Sequence, residues 1–353
     1  MPLLALGAVA LVAGLWGGLL RLGLRLPVPS SVVISNHGML MICGFLGTLI
    51  GVERAVALER RWAYGAPLLT GLGSIAVLLG APAMWGVSAI VAGSAIFFAA
   101  SIAVVLRQPA SFTITMAAGA VAWVLGNALW WMDRPIYSLV WWWAGFLLLT
   151  IVGERLELSR LIHRPKSATV AFVAACALFL FGVAAAEWHR DAGTRTAGAG
   201  MIAIAVWLGL HDVARRTVRQ RGLPRYIAVC LLCGYAWLLV CGAALVGFGP
   251  LAAGPEYDAA LHAFFVGFVF SMIFGHGPII LPAVLRVSIR YRPFFYWPLA
   301  LLHFSLVARL IGDLSALPDA RLWGGALNAV AIVGFFASMA WSAKRPASSA
   351  VFA

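Results

Sequence analysis

Long apolar stretches, each close to 20 residues and separated by short polar breaks, recur along the whole chain. A stretch of that length crosses a hydrocarbon core about 30 Å thick as an α-helix. The pattern predicts twelve spans. The first six lie near Leu3–Leu20, Ile34–Leu58, Leu68–Leu79, Met84–Leu106, Phe112–Trp131 and Tyr137–Leu158. The other six lie near Thr169–Glu187, Gly200–Val213, Ile227–Phe248, Ala259–Leu285, Phe295–Gly312 and Leu322–Trp341. The third and eighth are short, so their ends are the least sharply drawn. The Met-Pro-Leu-Leu start has no basic n-region and no small-residue cleavage site follows, so the first span is expected to be retained.

Composition agrees with this reading. Of 353 residues 63% are hydrophobic and 10% charged, against about 25% charged in a soluble domain. There is too little polar surface to face water, and the expected fold class is all-α, a polytopic transmembrane helical bundle. No long linker or low-complexity tract interrupts residues 1–353, so a single transmembrane domain is expected. A short echo, Gly51-Val52-Glu53-Arg54 and Val152-Gly153-Glu154-Arg155, hints at two six-helix halves.

The net charge of +13 would suit a nucleic-acid partner if it lay on one soluble face, but its distribution argues for a membrane. Arg60-Arg61, Arg160 with Arg164 and Lys166, the run Arg215, Arg216, Arg219 and Arg221, and Arg286, Arg290 and Arg292 all follow even-numbered spans. Asp133, Glu187, Asp191, Glu256, Asp258, Asp313 and Asp319 fall in the opposite loops. The positive-inside rule then puts both termini in the cytoplasm of an inner-membrane protein, with the lipid bilayer as partner and anionic lipid facing the arginines. The five cysteines, Cys43, Cys176, Cys230, Cys233 and Cys241, fall inside spans and read as small apolar packers. Cys230-Leu-Leu-Cys233 lacks the second pair that a zinc motif requires. Trp130, Trp131, Trp141, Trp142 and Trp143 bracket Asp133 and read as an interfacial belt.

An ionisable side chain in hydrocarbon needs a partner, a cavity or a cofactor, since lipid exposure costs about 2.5–3.5 kcal/mol or more. His37, His262, His276 and His303 are the intramembrane histidines. His37 opens the second span. At about 100° per residue its helical face continues through Met41, Gly44, Thr48 and Gly51, and the small residues from Gly44 onward admit either a flat macrocycle or a neighbouring helix. His262 opens the tenth span at a similar depth. Two imidazoles from different spans at one level are what bis-axial haem iron requires; copper with a thioether from Met39 or Met41 is also compatible. His276, in Gly275-His276-Gly277-Pro278, lies fourteen residues below His262 in a helix carrying Pro278 and Pro282. With His303 it could hold copper, a second haem or a quinone, or simply tie a broken helix together. Arg309 lies about two turns inside the eleventh span. Either it neutralises Asp313 at i,i+4, or it binds a haem carboxylate. Glu53-Arg54 and Glu154-Arg155 read as interfacial ion pairs with snorkelling arginines.

The second-span His37-Gly38-Met39-Leu40-Met41 resembles the haem-ligand helix of haem–copper oxidase main subunits. The tenth span, Leu261-His262-Ala263 through Phe274-Gly275-His276-Gly277-Pro278, resembles that superfamily's other haem-ligand helix and also the NnrS family of twelve-span haem and copper proteins of the nitric oxide response. The resemblance implies haem b held by His37 and His262, with Arg309 at a propionate, and a role involving a diatomic gas ligand or electron transfer. The sixth and seventh spans contain no histidine, so an oxidase-type binuclear centre is not expected, and whether the protein is an enzyme stays open, as does its oligomeric state. The alternative from another class is a twelve-span secondary transporter. Against it stand the loop Leu58-Glu59-Arg60-Arg61-Trp62, which lacks the major-facilitator pattern, and the absence of midplane acids. A membrane enzyme acting on lipid is a third reading.

Overall fold

The computed structural model describes residues 2–159, 165–285 and 287–344. Arg160, His163, Arg164 and Arg286 lie outside the described residues. The chain is a bundle of helices: α1 (Pro2–Arg21), α2 (His37–Leu58), α3 (Gly65–Leu78), α4 (Ala83–Arg107), α5 (Ser111–Trp131) and α6 (Ile136–Leu158). These are followed by α7 (Lys166–Ala185), α8 (Arg190–His211) and α9 (Leu223–Phe248). The tenth rod, α10, runs through Pro255–His262, Ala263–Phe270 and Ser271–Leu285. The last two are α11 (Tyr296–Leu314) and α12 (Pro318–Ser342).

Ten helices in the described residues are long and apolar enough to cross a membrane, which makes the chain a multi-pass membrane protein. The two rods outside that set fall short for different reasons, one of length and one of polarity. Helix α3 has only 14 residues, and α8, at 22 residues, opens on the polar stretch Arg190-Asp191-Ala192-Gly193-Thr194-Arg195-Thr196. Neighbours in sequence pack as hairpins: α3 on α4, α5 on α6, α7 on α8 and α11 on α12. Small residues let them approach. A methyl at Gly182 or Gly200 would strike the facing backbone of α8 or α7, and one at Gly324 would strike that of α11.

Two rods depart from α-helical winding in the same way. Leu40–Gly47 in α2 and Ala263–Phe270 in α10 are π-helical, eight residues each, and each begins within three residues of a histidine, His37 or His262. The wider turn breaks the 100° relation on which the face expected below His37 rests, and π segments recur at functional sites. The rings of Phe45 and Phe270, one from each π segment, stack at 6.3 Å. A two-residue antiparallel pairing, Ser288–Ile289 with Ala343–Lys344, ties the segment after α10 to the end of α12.

Exposed tryptophans mark two levels. Trp85, Trp131, Trp188 and Trp323 ring one end of the bundle; Trp62, Trp297 and Trp341 ring the other. These are the residues expected at the two membrane–water boundaries. The belt expected around Asp133 is only partly of this kind. Trp142 and Trp143 are core residues, with Trp143 Nε1 donating to Asn127 Oδ1 at 2.9 Å and Trp142 Nε1 to Glu187 Oε1 at 3.1 Å.

Candidate cofactor site

At the end of the bundle ringed by Trp85, Trp131, Trp188 and Trp323, a cavity of about 850 Å³ lies among α1, α2, α6, α10, α11 and α12. His37 and His262 both line it, with Met41, Phe270, Arg309 and Arg321 among the other walls. Its volume and mostly apolar lining suit a cofactor-sized ligand, since such sites run about 300–1,000 Å³ with a few placed polar groups.

The two histidines are held alike. His37 Nδ1 lies 2.6 Å from the Gly14 carbonyl oxygen, one helix away, and His262 Nδ1 lies 2.8 Å from the Asp258 carbonyl oxygen, one turn up its own helix. A carbonyl accepts only, so each Nδ1 carries its proton and each Nε2 presents a lone pair. No hydrogen bond in the described residues uses either Nε2. A second bond that fixes tautomer and ring orientation is the usual arrangement behind a metal-ligating histidine. Gly18 makes room for it: a methyl there would fall 2.8 Å from Cε1 of the His37 ring.

His262 has a further support. The Asp258 carboxylate, 3.4 Å from His262 Nδ1, receives Arg309 through both oxygens, with Nη2 at 2.8 and 3.1 Å and Nε at 3.0 Å. The Arg309–Asp313 pair, one of the two roles open to Arg309, is therefore not among the ion pairs of the described residues. Arg309 turns across to α10, and Asp313 instead meets Arg321, whose Nε stands 2.8 Å away but off the line of a hydrogen bond. The physical reason is reach: two carboxylates and two guanidiniums meet at this level, and the pairing that crosses between helices gives Arg309 a full bidentate contact. Arg21, at the end of α1, also lines the cavity and has no acidic side chain within ion-pair distance among the described residues.

Gly44 does not face this cavity. A methyl on it would meet Ala10 of α1 and Ser74 of α3; one on Gly47 would meet the Trp123 ring, and one on Gly51 would meet Pro67. The stripe admits neighbouring helices, the second of the two uses open to it. Met39 is likewise turned toward Ser74, with its sulfur 3.9 Å from the hydroxyl, whereas Met41 lines the cavity.

His276 and His303 take separate partners. His276 Nδ1 lies 2.8 Å from the Met272 carbonyl oxygen, and its Nε2 accepts from Arg155 Nη1 at 3.3 Å. His303 Nδ1 accepts from Trp237 Nε1 at 3.0 Å. No bond joins the two histidines, and a guanidinium occupies the His276 nitrogen that a metal would need. Among the described residues no three His, Cys, Asp or Glu side chains converge on a point. Haem asks less of the chain, since the macrocycle supplies four of the six ligands.

Arg155 is the largest departure from expectation. It is not a snorkelling interfacial residue but is 3% exposed, with Nε and Nη2 each 3.0 Å from the two oxygens of Asp212. Asp212 also accepts from the Ala214 backbone N–H at 2.7 Å, closing the turn after α8. Asp212, Arg155 and His276 thus form one buried chain joining α8, α6 and α10. The signal available beforehand was Asp212 itself, an acid heading the basic run Arg215 to Arg221. Arg54, the echo of Arg155, donates to the Met116 sulfur at 3.0 Å.

No curated protein matches the chain. Residues 1–344 match the family model described as Domain of unknown function (DUF8744), and the chain belongs to that family.

Proposed function

We propose that this protein holds one b-type haem in the cavity, where His37 and His262 would bind its iron, and works in electron transfer at the outer face of the inner membrane. The observation that carries this reading is the matched pair of histidines: one cavity, both Nδ1 atoms tied to backbone carbonyls, both Nε2 atoms unclaimed. When bound, haem supplies one-electron redox chemistry at its iron. The chain's contribution is to fix both imidazoles, to keep the macrocycle among apolar side chains such as Phe270 and Ile332, and to neutralise its carboxylates. With the Arg309 fork engaged by Asp258 and Arg321 beside Asp313, Arg21 is the cavity arginine left to receive those carboxylates in this reading. With both imidazoles holding the iron, a gas would have to displace one of them, so electron transfer suits the site better than binding a diatomic ligand. The resemblance to the NnrS and haem–copper oxidase families supports the same assignment. Purified protein should carry haem at one equivalent per chain with a Soret band; protein that neither retains nor takes up haem overturns the proposal.

The reading includes twelve spans with α3 and α8 crossing, and both termini cytoplasmic. Cysteine labelling should find Arg60, Arg219 and Arg290 positions reactive from the cytoplasm and an Asp191 position from outside. Arg219 on the outer side would reverse the orientation.

Asp258 acts in this scheme as a positioning residue behind His262. Asp258→Asn keeps the backbone carbonyl but weakens the hold on Arg309 and on the imidazole, and supports of this kind are worth about 10–100-fold in metal affinity. Haem titration should show a loss of that order, with the low-spin spectrum retained at saturation. An unchanged affinity would remove Asp258 from the site.

A further inference from the structure

The opposite end of the bundle holds a second pocket that the haem reading does not use. It encloses about 320 Å³ and is lined by Arg221, Gly222, Arg225, Val229, Tyr291 and Tyr296. The arginines come from the start of α9 and the tyrosines from the segment leading into α11. No acidic side chain lines it, and neither arginine has an ion-pair partner among the described residues. Two guanidiniums and two phenol hydroxyls converging without a carboxylate make a site for a phosphate group, the anion that arginine forks and hydroxyl donors satisfy together.

The surroundings identify where that phosphate comes from. Phe294, Trp297 and Trp341 are 47%, 71% and 74% exposed beside the tyrosines. Phe294 and Trp341 meet edge to face at 6.2 Å, and the Arg292 guanidinium lies over the Trp341 ring at 5.7 Å. Exposed tryptophan and phenylalanine next to arginine mark the headgroup level of a bilayer, with rings toward acyl chains and cations toward phosphates. We propose that this pocket is a specific binding site for the phosphodiester headgroup of an anionic phospholipid in the leaflet facing the basic loops. It seats one lipid between α9 and the start of α11, beyond the diffuse attraction that any arginine-rich loop exerts.

The test is lipid retention by the purified full chain, read by native mass spectrometry and by thermal shift on adding phosphatidylglycerol, phosphatidylcholine or inorganic phosphate. The wild type should retain phosphatidylglycerol in preference to phosphatidylcholine. Arg221→Gln with Arg225→Gln should lower that retention roughly tenfold or more, the scale expected when charge-assisted hydrogen bonds to a phosphate are lost. Arg216→Gln with Arg219→Gln removes the same charge outside the pocket and should change retention less than about twofold, as residual screening allows. Tyr291→Phe with Tyr296→Phe, which keeps the rings, should weaken retention without altering charge. Equal losses in the two arginine doubles would reduce the effect to diffuse electrostatics and overturn the site. Inorganic phosphate at millimolar concentration displacing the lipid, or stabilising the protein as well as phosphatidylglycerol does, would overturn the lipid assignment.

Discussion

Replacing His37 or His262 with alanine abolishes the low-spin haem spectrum, each change alone being sufficient. The expectation follows from the symmetry of the site. Each imidazole is fixed by a single Nδ1 bond, to Gly14 or Asp258, and each offers one Nε2 to the cavity. No third histidine lines the cavity, so no other imidazole stands ready to take either place. Loss of one ligand leaves a five-coordinate, high-spin haem at best, and loss of both leaves no attachment. His163→Ala, in a basic loop outside the described residues, keeps the wild-type spectrum. Absorption spectra of the three variants in reduced and oxidised form check this, and a low-spin spectrum persisting in both cavity variants is the contrary result.

The second large effect is on stability and comes from the other end of the molecule. Asp212→Ala leaves the Arg155 guanidinium buried beside His276 Nε2 and the Tyr235 hydroxyl with no carboxylate to neutralise it, and an uncompensated buried charge costs about 3–5 kcal/mol. Arg155→Met strands the Asp212 carboxylate in the same way, although the Ala214 N–H still donates to it. The double variant Arg155→Met with Asp212→Leu recovers most of the loss, because an apolar pair of similar volume avoids desolvating two charges. His276→Ala is milder, removing one acceptor from the chain, and it leaves the haem spectrum unchanged because its imidazole is already engaged by Arg155. Thermal unfolding followed in detergent separates these outcomes. A double variant as unstable as the singles would mean that the network holds something other than itself together.

Much of this architecture is legible in the amino-acid sequence, and the illegible parts have identifiable causes. Apolar length alone places the rods to within about four residues at each end, because helices satisfy their own backbone groups in hydrocarbon, except that α8 begins at Arg190, well before the Gly200 start that its apolar run suggests. The shared depth of His37 and His262 is also visible, since both open apolar runs that enter from one side. The faces below them are not. The π turns at Leu40–Gly47 and Ala263–Phe270 contain no proline, only glycines of the kind found throughout these spans, and Gly44 faces α1 and α3 and not the cavity. Partners across the bundle are hidden too. Arg309 has an acid four residues on, yet its partner Asp258 lies 51 positions away; Arg155 looks interfacial by position, yet Asp212 draws it inward from 57 positions away. Local spacing favours near pairs, while packing decides among distant ones. Trp142 and Trp143 show the same limit: their place at a span's outer end suggests lipid contact, but α5 and α7 cover them.

The claim on which the account rests is that both axial ligands of one haem are imidazoles. Electron paramagnetic resonance with near-infrared magnetic circular dichroism on the ferric wild-type protein addresses it directly. The account predicts a single low-spin ferric centre with a bis-imidazole signature. A histidine–thioether signature, which would bring Met41 to the iron in place of one histidine, or a protein with no haem signal after reconstitution, would contradict it.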